Sequence, residues 1–443
     1  MRSKEELKKL AIEAIDRRKD AIFEIGDSIY NEPELGYKEF KTAEKFKNVL
    51  RELDLEYEDE IAITGVKAKI KGKESKYNVS VMGELDSIIS PLHPDSNPET
   101  GAAHCCGHNC MIAGITGVAY ALRETDIMDD LIGDVTLLAV PAEEYVEIGY
   151  RNTLKDEGKI GFIGGKQEFI RLGVFDDIDI SLMQHTFGSE DEGNTGIKAA
   201  ASVEMNGFVG QEINYVGREA HAGAAPEAGV NALQAANIGL TAINAQRETF
   251  KDEDHIRVHP IFTKGGDLVN VIPADVKLEN YVRGATVDSI FDATRKVNRA
   301  WEAGAHAMNA EVSINTMPGY LPEIPNKDLQ HLMYGNMKMI FGEEKVMFEL
   351  PRTCGSSDNG DVNSVIPSLQ ARIGGAKGDF HAANYRLVDR DTAYLGAAKA
   401  LVTTLIDLLY DDGQVAKSVI DNYEPLFTKE EYLEQWGNIG ETL

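Results

Sequence analysis

Basic residues are scarce in this chain. Its 443 residues include 45 Lys and Arg against 73 Asp and Glu, a formal net charge of −28. Phosphate backbones and anionic lipid surfaces would be repelled, so neither nucleic acid nor a membrane is expected as a partner. Cysteine is also rare: Cys105, Cys106, Cys110 and Cys354, three of them within six positions. Thiols this close in sequence do not make a disulfide framework, and the compartment expected is the cytoplasm, where they stay reduced. No run of about 18 apolar residues occurs, so no membrane span is expected. The charged, amphipathic start MRSKEELKKLAIEAIDRRKD lacks the apolar core of a signal peptide. Internal repeats and low-complexity tracts are absent.

What is present is an alternation of helical and strand patterns. Residues 36–53 read as a helix, and VKAKIKG (66–72) and NVSVMGEL (78–85) as strands. A loop rich in Pro, Ser and Asp follows, from 89 to 103. An all-round apolar helix, the mark of a buried one, runs from about 110 to 122. DVTLLAV (134–140) and DISLMQH (179–185) read as central strands. This alternation predicts an α/β domain whose mostly parallel sheet is flanked by helices. The middle of the chain reads differently. A strand at 207–217, a helix from Pro226 to about 249, strands in HIRVHPIFTKGG and DVKLENYVRG, a helix at 287–308 and a strand at 310–317 give the order β-α-β-β-α-β. That is the ferredoxin-like α+β arrangement. The expected division is 1–199 plus 319–443 for the α/β domain, interrupted by a module at 200–318.

Metal-ligand residue types gather in four segments: His104-Cys105-Cys106-Gly107-His108-Asn109, Pro141-Ala142-Glu143-Glu144, Gln184-His185 and Gly378-Asp379-Phe380-His381. Two of them directly follow apolar strand patterns, and the carboxyl ends of strands form the ligand crevice of an open α/β sheet. Thiolate, imidazole and carboxylate together suit zinc or a similar divalent ion. Cys106 and His108, two apart, point to one side of an extended segment. Adjacent Glu143 and Glu144 diverge, so one can bind metal while the other faces a metal-bound water as general base. Each segment alone reads more simply as packing or a solvated pair; their joint occurrence carries the metal reading. His104 and Cys105 read as structural neighbours, Cys110 and Cys354 as small buried residues.

In these segments the chain resembles the M20 family of metallopeptidases and amidohydrolases. Asn31 to Gly36 (NEPELG), followed by Glu39, is similar to the family's His-x-x-Pro-Glu-Leu-Gly segment, with Asn31 in the His position. Glu84-Leu85-Asp86-Ser87 resembles an acidic-x-Asp-Ala strand end, residues 104–109 the His-x-Cys-Gly-His-Asn/Asp signature, and 141–144 Pro-Ala-Glu-Glu. GREAHAGAAP (217–226) resembles the start of the family's lid and dimerisation domain. GSSDNGDVNSVIP (355–367) and Asn109 resemble the subgroup that holds aminobenzoyl-glutamate hydrolases and Xaa-basic dipeptidases.

The resemblance implies two divalent metal ions, zinc best by softness, with manganese, cobalt or nickel as alternatives. It implies Cys106 as bridging ligand, His108, Glu144, His185 and His381 as further ligands, Glu143 as general base, and Asp86 as the residue orienting a ligand. His221 in the lid would stabilise the oxyanion in a partner subunit's site, and Asn270 and Arg283 would hold the substrate's carboxylate or amide. The implied activity is hydrolysis of the amide bond of an N-acyl or N-aroyl amino acid, aminobenzoyl-glutamate-like, with Xaa-basic dipeptides as the alternative. The implied assembly is a homodimer through the lid. A partner subunit without turnover is the rival reading, and the complete set of ligand and base side chains argues against it. Two departures stand out: about a dozen extra residues between Glu144 and Gly161 (YVEIGYRNTLKDEGKI), and Gly-Ala after Arg283 where the subgroup has Ala-Pro.

Overall fold

The computed structural model describes residues 2–188 and 196–442. The chain divides into two compact units, 1–204 with 324–352 and 361–429, and 205–323 with 353–360 and 430–443.

The first unit is built on a mixed sheet. Strands β1 (Tyr57–Ile61), β2 (Gly65–Ile70), β3 (Glu74–Glu84), β4 (Ile132–Val140), β5 (Ile180–Gly188) and β10 (Ser368–Lys377) lie in the order β1-β2-β4-β3-β5-β10, and Ala199–Ala200 and Val346–Met347 extend the β10 side. The four central strands β4-β3-β5-β10 run parallel. Every residue of β4 is buried, as expected for a parallel strand covered on both faces. Helices α1 (Lys4–Arg17), α2 (Lys19–Tyr30), α3 (Phe40–Glu52), α4 (His108–Glu124), α5 (Ile148–Asp156), α6 (Gly165–Leu172) and α9 (Lys327–Phe341), with a C-terminal helix α10 (Ala397–Leu409), belong to the same unit. Helix α4 is buried from His108 to Leu122 and packs against β3, α1, α2 and α10. The charged N-terminal stretch forms two helices, broken at Arg18, which caps the first and opens the second.

Among the described residues one helical stretch, Asp391–Leu409, is long and apolar enough to cross a membrane by length and composition alone. Almost all of it is buried against the rest of the unit, which is what a core helix requires.

The second unit contains the β-α-β-β-α-β order read from the sequence. Strands β6 (Gly207–Val216), β7 (Arg257–Lys264), β8 (Asp275–Gly284) and β9 (Glu311–Pro318) form an antiparallel sheet in the order β7-β8-β6-β9. Helices α7 (Ala232–Gln246) and α8 (Val287–Met308) pack on each other and on the sheet. Pro226 opens a short 3₁₀ turn instead of the long helix expected there, and α7 starts six residues later. Asn231 supplies its N-cap by accepting from the Gln234 amide. Pro260 sits in β7, an edge strand, where a missing N–H is tolerated. Trp301, fully buried, anchors the helical layer; Tyr215 Oη donates to its carbonyl at 2.7 Å. Besides its main span, 205–323, two later stretches, 353–360 and 430–443, belong to this unit. Trp436 stacks on Phe291 and donates to Gly319 O.

Candidate metal centre

The four parallel strands end at one edge, and the polar clusters follow those ends. Glu84 closes β3, Pro141–Glu144 follows β4, His185 lies near the end of β5, and His381 follows β10 by four residues. Cys106 and His108 enter from the start of α4. Gly107 between them has φ +90°, and a Cβ there would lie 2.2 Å from Thr186 Oγ1 and 2.6 Å from Tyr385 Oη. Only glycine fits, and the tight turn it permits brings both ligand-type side chains to the sheet edge.

Seven of the ten sequence-predicted site residues meet here. Cys106 Sγ is 3.4 Å from both His185 Nε2 and His381 Nε2. His381 Nε2 is 3.0 Å from Glu144 Oε1. His108 Nε2 is 3.9 Å from Glu143 Oε2. Asp86 sets the orientation of two of them: its carbonyl and Oδ1 contact His108 Nδ1 at 2.9 and 3.1 Å, and Oδ2 accepts the Glu144 amide at 2.9 Å. This fixes the His108 tautomer with Nε2 toward the cluster. His185 is held likewise, Nδ1 against Thr186 O at 2.9 Å.

Among the described residues, three overlapping sets bring their donor atoms within 4.8 Å of one another: Cys106, His108 and His185; Cys106, Glu144 and His381; and Glu84, His108 and Glu143. Cys106 belongs to two of them. Glu84 Oε2, His108 Nε2 and Glu144 Oε1 are buried and face one another and His381 Nε2, with no other hydrogen-bond partner. Buried polar atoms are ordinarily satisfied by donors and acceptors of their own, and N and O atoms converging beside the Cys106 sulfur fit divalent cations.

The protonation pattern of these groups has identifiable causes. Burial pushes His185 well below its ordinary value, with Arg372 and His108 adding to the effect, so its imidazole is neutral. Burial would also lower His108, but the negative charge of Glu84 and Cys106 and the hydrogen bond to Asp86 outweigh it and raise the ring well above the usual range. His381 responds similarly to Glu144 and Cys106 and is pushed up to about 12. For Asp86, burial acts upward, yet the hydrogen bond and charge of His108 outweigh it and hold the carboxyl low.

Three supports were not read from the sequence as site residues. Glu39 is buried; its Oε1 accepts the Ala142 amide at 2.8 Å and Oε2 the Thr64 hydroxyl at 2.7 Å. Burial and the Asp86 charge push it up to about 7. Glu84 and Lys166, both fully buried, form an ion pair at 2.5 Å. The Glu-x-Asp pattern at β3 and a lone lysine in a buried helical turn were the available signals. The extra residues after Glu144 form α5, whose Arg151 is fully buried and donates to Ile163 O. Its preceding Glu147 pairs with Lys38. Asn109 lies apart from the cluster, donating to Tyr394 Oη and Gly26 O. Asn31 ends α2 on the surface. Cys110 is buried as expected, whereas Cys354 is only half-buried, and all four thiols are free.

His221, Asn270 and Arg283 lie in the second unit. His221 is exposed, and its Nδ1 accepts the Gly223 and Ala224 amides at 3.2 and 3.1 Å. Its Nε2 therefore carries the proton. Asn270 is exposed, and its carbonyl accepts the Ala222 amide. Arg283 is clasped by the rings of Phe208 and Tyr281, and its Nη1 donates to Ser356 Oγ at 2.7 Å.

A thiol, imidazole and carboxylate cluster at the carboxyl edge of an α/β sheet, in a chain that also carries a four-stranded antiparallel unit, defines the class as a metal-dependent hydrolase. The chain belongs to peptidase family M20/M25/M40, whose description matches residues 81–407. It is similar to the Xaa-Arg dipeptidases of mouse (28% identity, covering 91% of this chain and 89% of that one) and human (26%, 92% and 90%). Its fold is shared by a dinuclear metal-binding M20 peptidase from Bacillus subtilis (TM-score 0.64, 19% identity, 88% of this chain and 98% of that one). It is shared also by an aminobenzoyl-glutamate utilization protein from Klebsiella pneumoniae (TM-score 0.66, 15%, 89% and 97%).

Proposed function

We propose that this chain is a metal-dependent dipeptidase whose substrates carry a free carboxylate and a basic C-terminal residue. The single observation that carries the hydrolytic part is the convergence of Cys106, His108, Glu144, His185 and His381, with Glu143 beside them. The dipeptide preference, placed second to N-acyl amino acids in the sequence reading, is supported by two relatives named for Xaa-Arg dipeptides at about nine-tenths coverage. A net charge of −28 also favours the approach of cationic substrates.

In this reading Cys106, His108, His185, Glu144 and His381 would hold the divalent ions, and Asp86 fixes His108. Divalent ions bound there would supply Lewis acidity and an acidified water. Glu143 removes the proton of the attacking water and returns it to the leaving amine. His221, its Nε2–H directed away from its own loop, donates to the developing oxyanion. Asn270 and the ring-clasped Arg283 hold the substrate carboxylate, for which a planar guanidinium fork is suited. The lid is proposed to dimerise, so that His221 serves the partner's site; light scattering on the intact protein checks this assembly.

The test is an amine-release screen of Xaa-Arg, Xaa-Lys and neutral dipeptides beside N-acyl amino acids, on wild type and Glu143→Gln. Turnover of basic dipeptides that drops at least 100-fold in the variant, with metal content unchanged, is the expected result. Turnover confined to N-acyl amino acids overturns the substrate assignment; a fully active Glu143→Gln overturns the base.

A further inference from the structure

Glu84 closes β3 and is wholly buried. Its two oxygens have different surroundings. Oε1 accepts from Lys166 Nζ at 2.5 Å; Oε2 has no hydrogen-bond partner and lies 3.0 Å from His108 Nε2. Asp86 holds the opposite nitrogen of that ring, so Nε2 is the edge that faces a cation. At 3.0 Å this nitrogen and oxygen must share a positive charge, a proton on the ring in the stripped protein or a cation that replaces it. An oxygen of Glu143 completes the group within 4.8 Å.

A buried ion pair is costly to desolvate, and good geometry must satisfy its remaining lone pairs. Lys166 and Glu84 do not do this alone, because one carboxylate oxygen is left aimed at the metal cluster. Lys166 itself is delivered by a close approach: it is the second residue of α6, and the preceding Gly165 sits against the Pro141 carbonyl. The lysine therefore rests on the loop that carries Glu143 and Glu144.

We propose that Glu84 is a sixth protein donor of the metal centre, presenting Oε2 to the ion held by His108, and that Lys166 is its positioning residue. Lys166 holds Oε1, leaves one oxygen for the metal, and offsets the charge of a carboxylate in a site already rich in anions. The inference rests on the metal-centre reading above and adds to it a donor outside the Cys-His-Glu-His-His set.

The experiment uses the full chain stripped of metal, titrated with Zn²⁺ against a chromogenic chelator, and separately with Co²⁺ followed by its visible ligand-field spectrum. Wild type, Glu84→Gln and Glu84→Asp are compared, with apo melting curves for each. The expected result is two ions in wild type, one of them bound about 10–100-fold more weakly in Glu84→Gln. The Co²⁺ band should change in Glu84→Gln, and Glu84→Asp should recover part of the affinity. Wild-type affinity for both ions with an unchanged Co²⁺ spectrum in Glu84→Gln overturns the proposal and leaves the metal centre standing. A wild-type chain that binds no ion overturns both. If Glu84→Gln melts far below wild type, the double variant Glu84→Gln/Lys166→Met, free of the buried charge pair, is titrated in its place, with the same two outcomes.

Discussion

Replacing Gly165 by alanine tests how rigidly the fold holds the proposed base. Gly165 is the first residue of α6, and an added Cβ would stand 1.6 Å from the Pro141 carbonyl oxygen and 2.7 Å from its carbon. Both are backbone atoms and cannot swing aside. To reach even 3.0 Å, helix and loop must part by about 1.4 Å. The moving loop is Pro141 to Glu144, pinned on its far side by Glu39 at the Ala142 amide and by Asp86 at the Glu144 amide. Overpacking of this kind costs about 1–3 kcal/mol, and a displacement near 1 Å at reacting groups costs about 100-fold in rate. Gly165→Ala should therefore retain its fold, melt several degrees lower, and lose about 100-fold in kcat/KM on the best dipeptide of the screen. Gly149→Ala is the control: nothing lies within 4 Å of its Cβ position, inside α5. It should match wild type in rate and gain up to about 1 kcal/mol from helix propensity. A Gly165→Ala enzyme within threefold of wild type would refute the claim that this contact fixes the catalytic loop.

Cys106→Ala should cost metal at both ions, since Sγ lies within 3.4 Å of His185 and His381; elemental analysis showing two retained ions would remove it from the ligand set. Asn109→Ala should lower stability by about 1–2 kcal/mol, as Tyr394 Oη loses one partner in the core, while metal content and rate stay at wild-type levels; metal loss would place Asn109 at the site instead. Metal loading should release protons near pH 7, because His108 and His381 are held protonated by their carboxylate and thiol neighbours. Calorimetry in buffers of different ionisation enthalpy reads this directly, and apparent affinity should rise with pH. The sign for stability follows: a raised folded-state pKa stabilises the stripped protein fully below about pH 6.5 and progressively less above it. The melting gap between loaded and stripped protein should therefore widen as pH rises, and a pH-independent gap with no proton release would contradict the assignment.

Sequence alone determined the elements whose patterning matched their burial. The runs at 134–140 and 179–185 are apolar because strands buried on both faces must be, and the β-α-β-β-α-β order of the middle module follows from alternation and turn residues. The ligand-type segments were legible because metal chemistry needs Cys, His and Glu, and because two of those segments follow strand ends. Tertiary structure decided what depends on contacts between distant residues. Pro226 was read as a helix start, yet the helix waits for the cap at Asn231, since local propensity does not specify which turn the fold accepts. The stretch at 391–409 passes for a membrane helix by composition and is a core helix because α1, α4 and α9 cover it. Glu39, Glu84 and Lys166 look like ordinary surface charges in the sequence. Only tertiary packing removes them from water, and a charge without water must find a partner: the Ala142 amide and Thr64 hydroxyl for Glu39, and each other for Glu84 and Lys166.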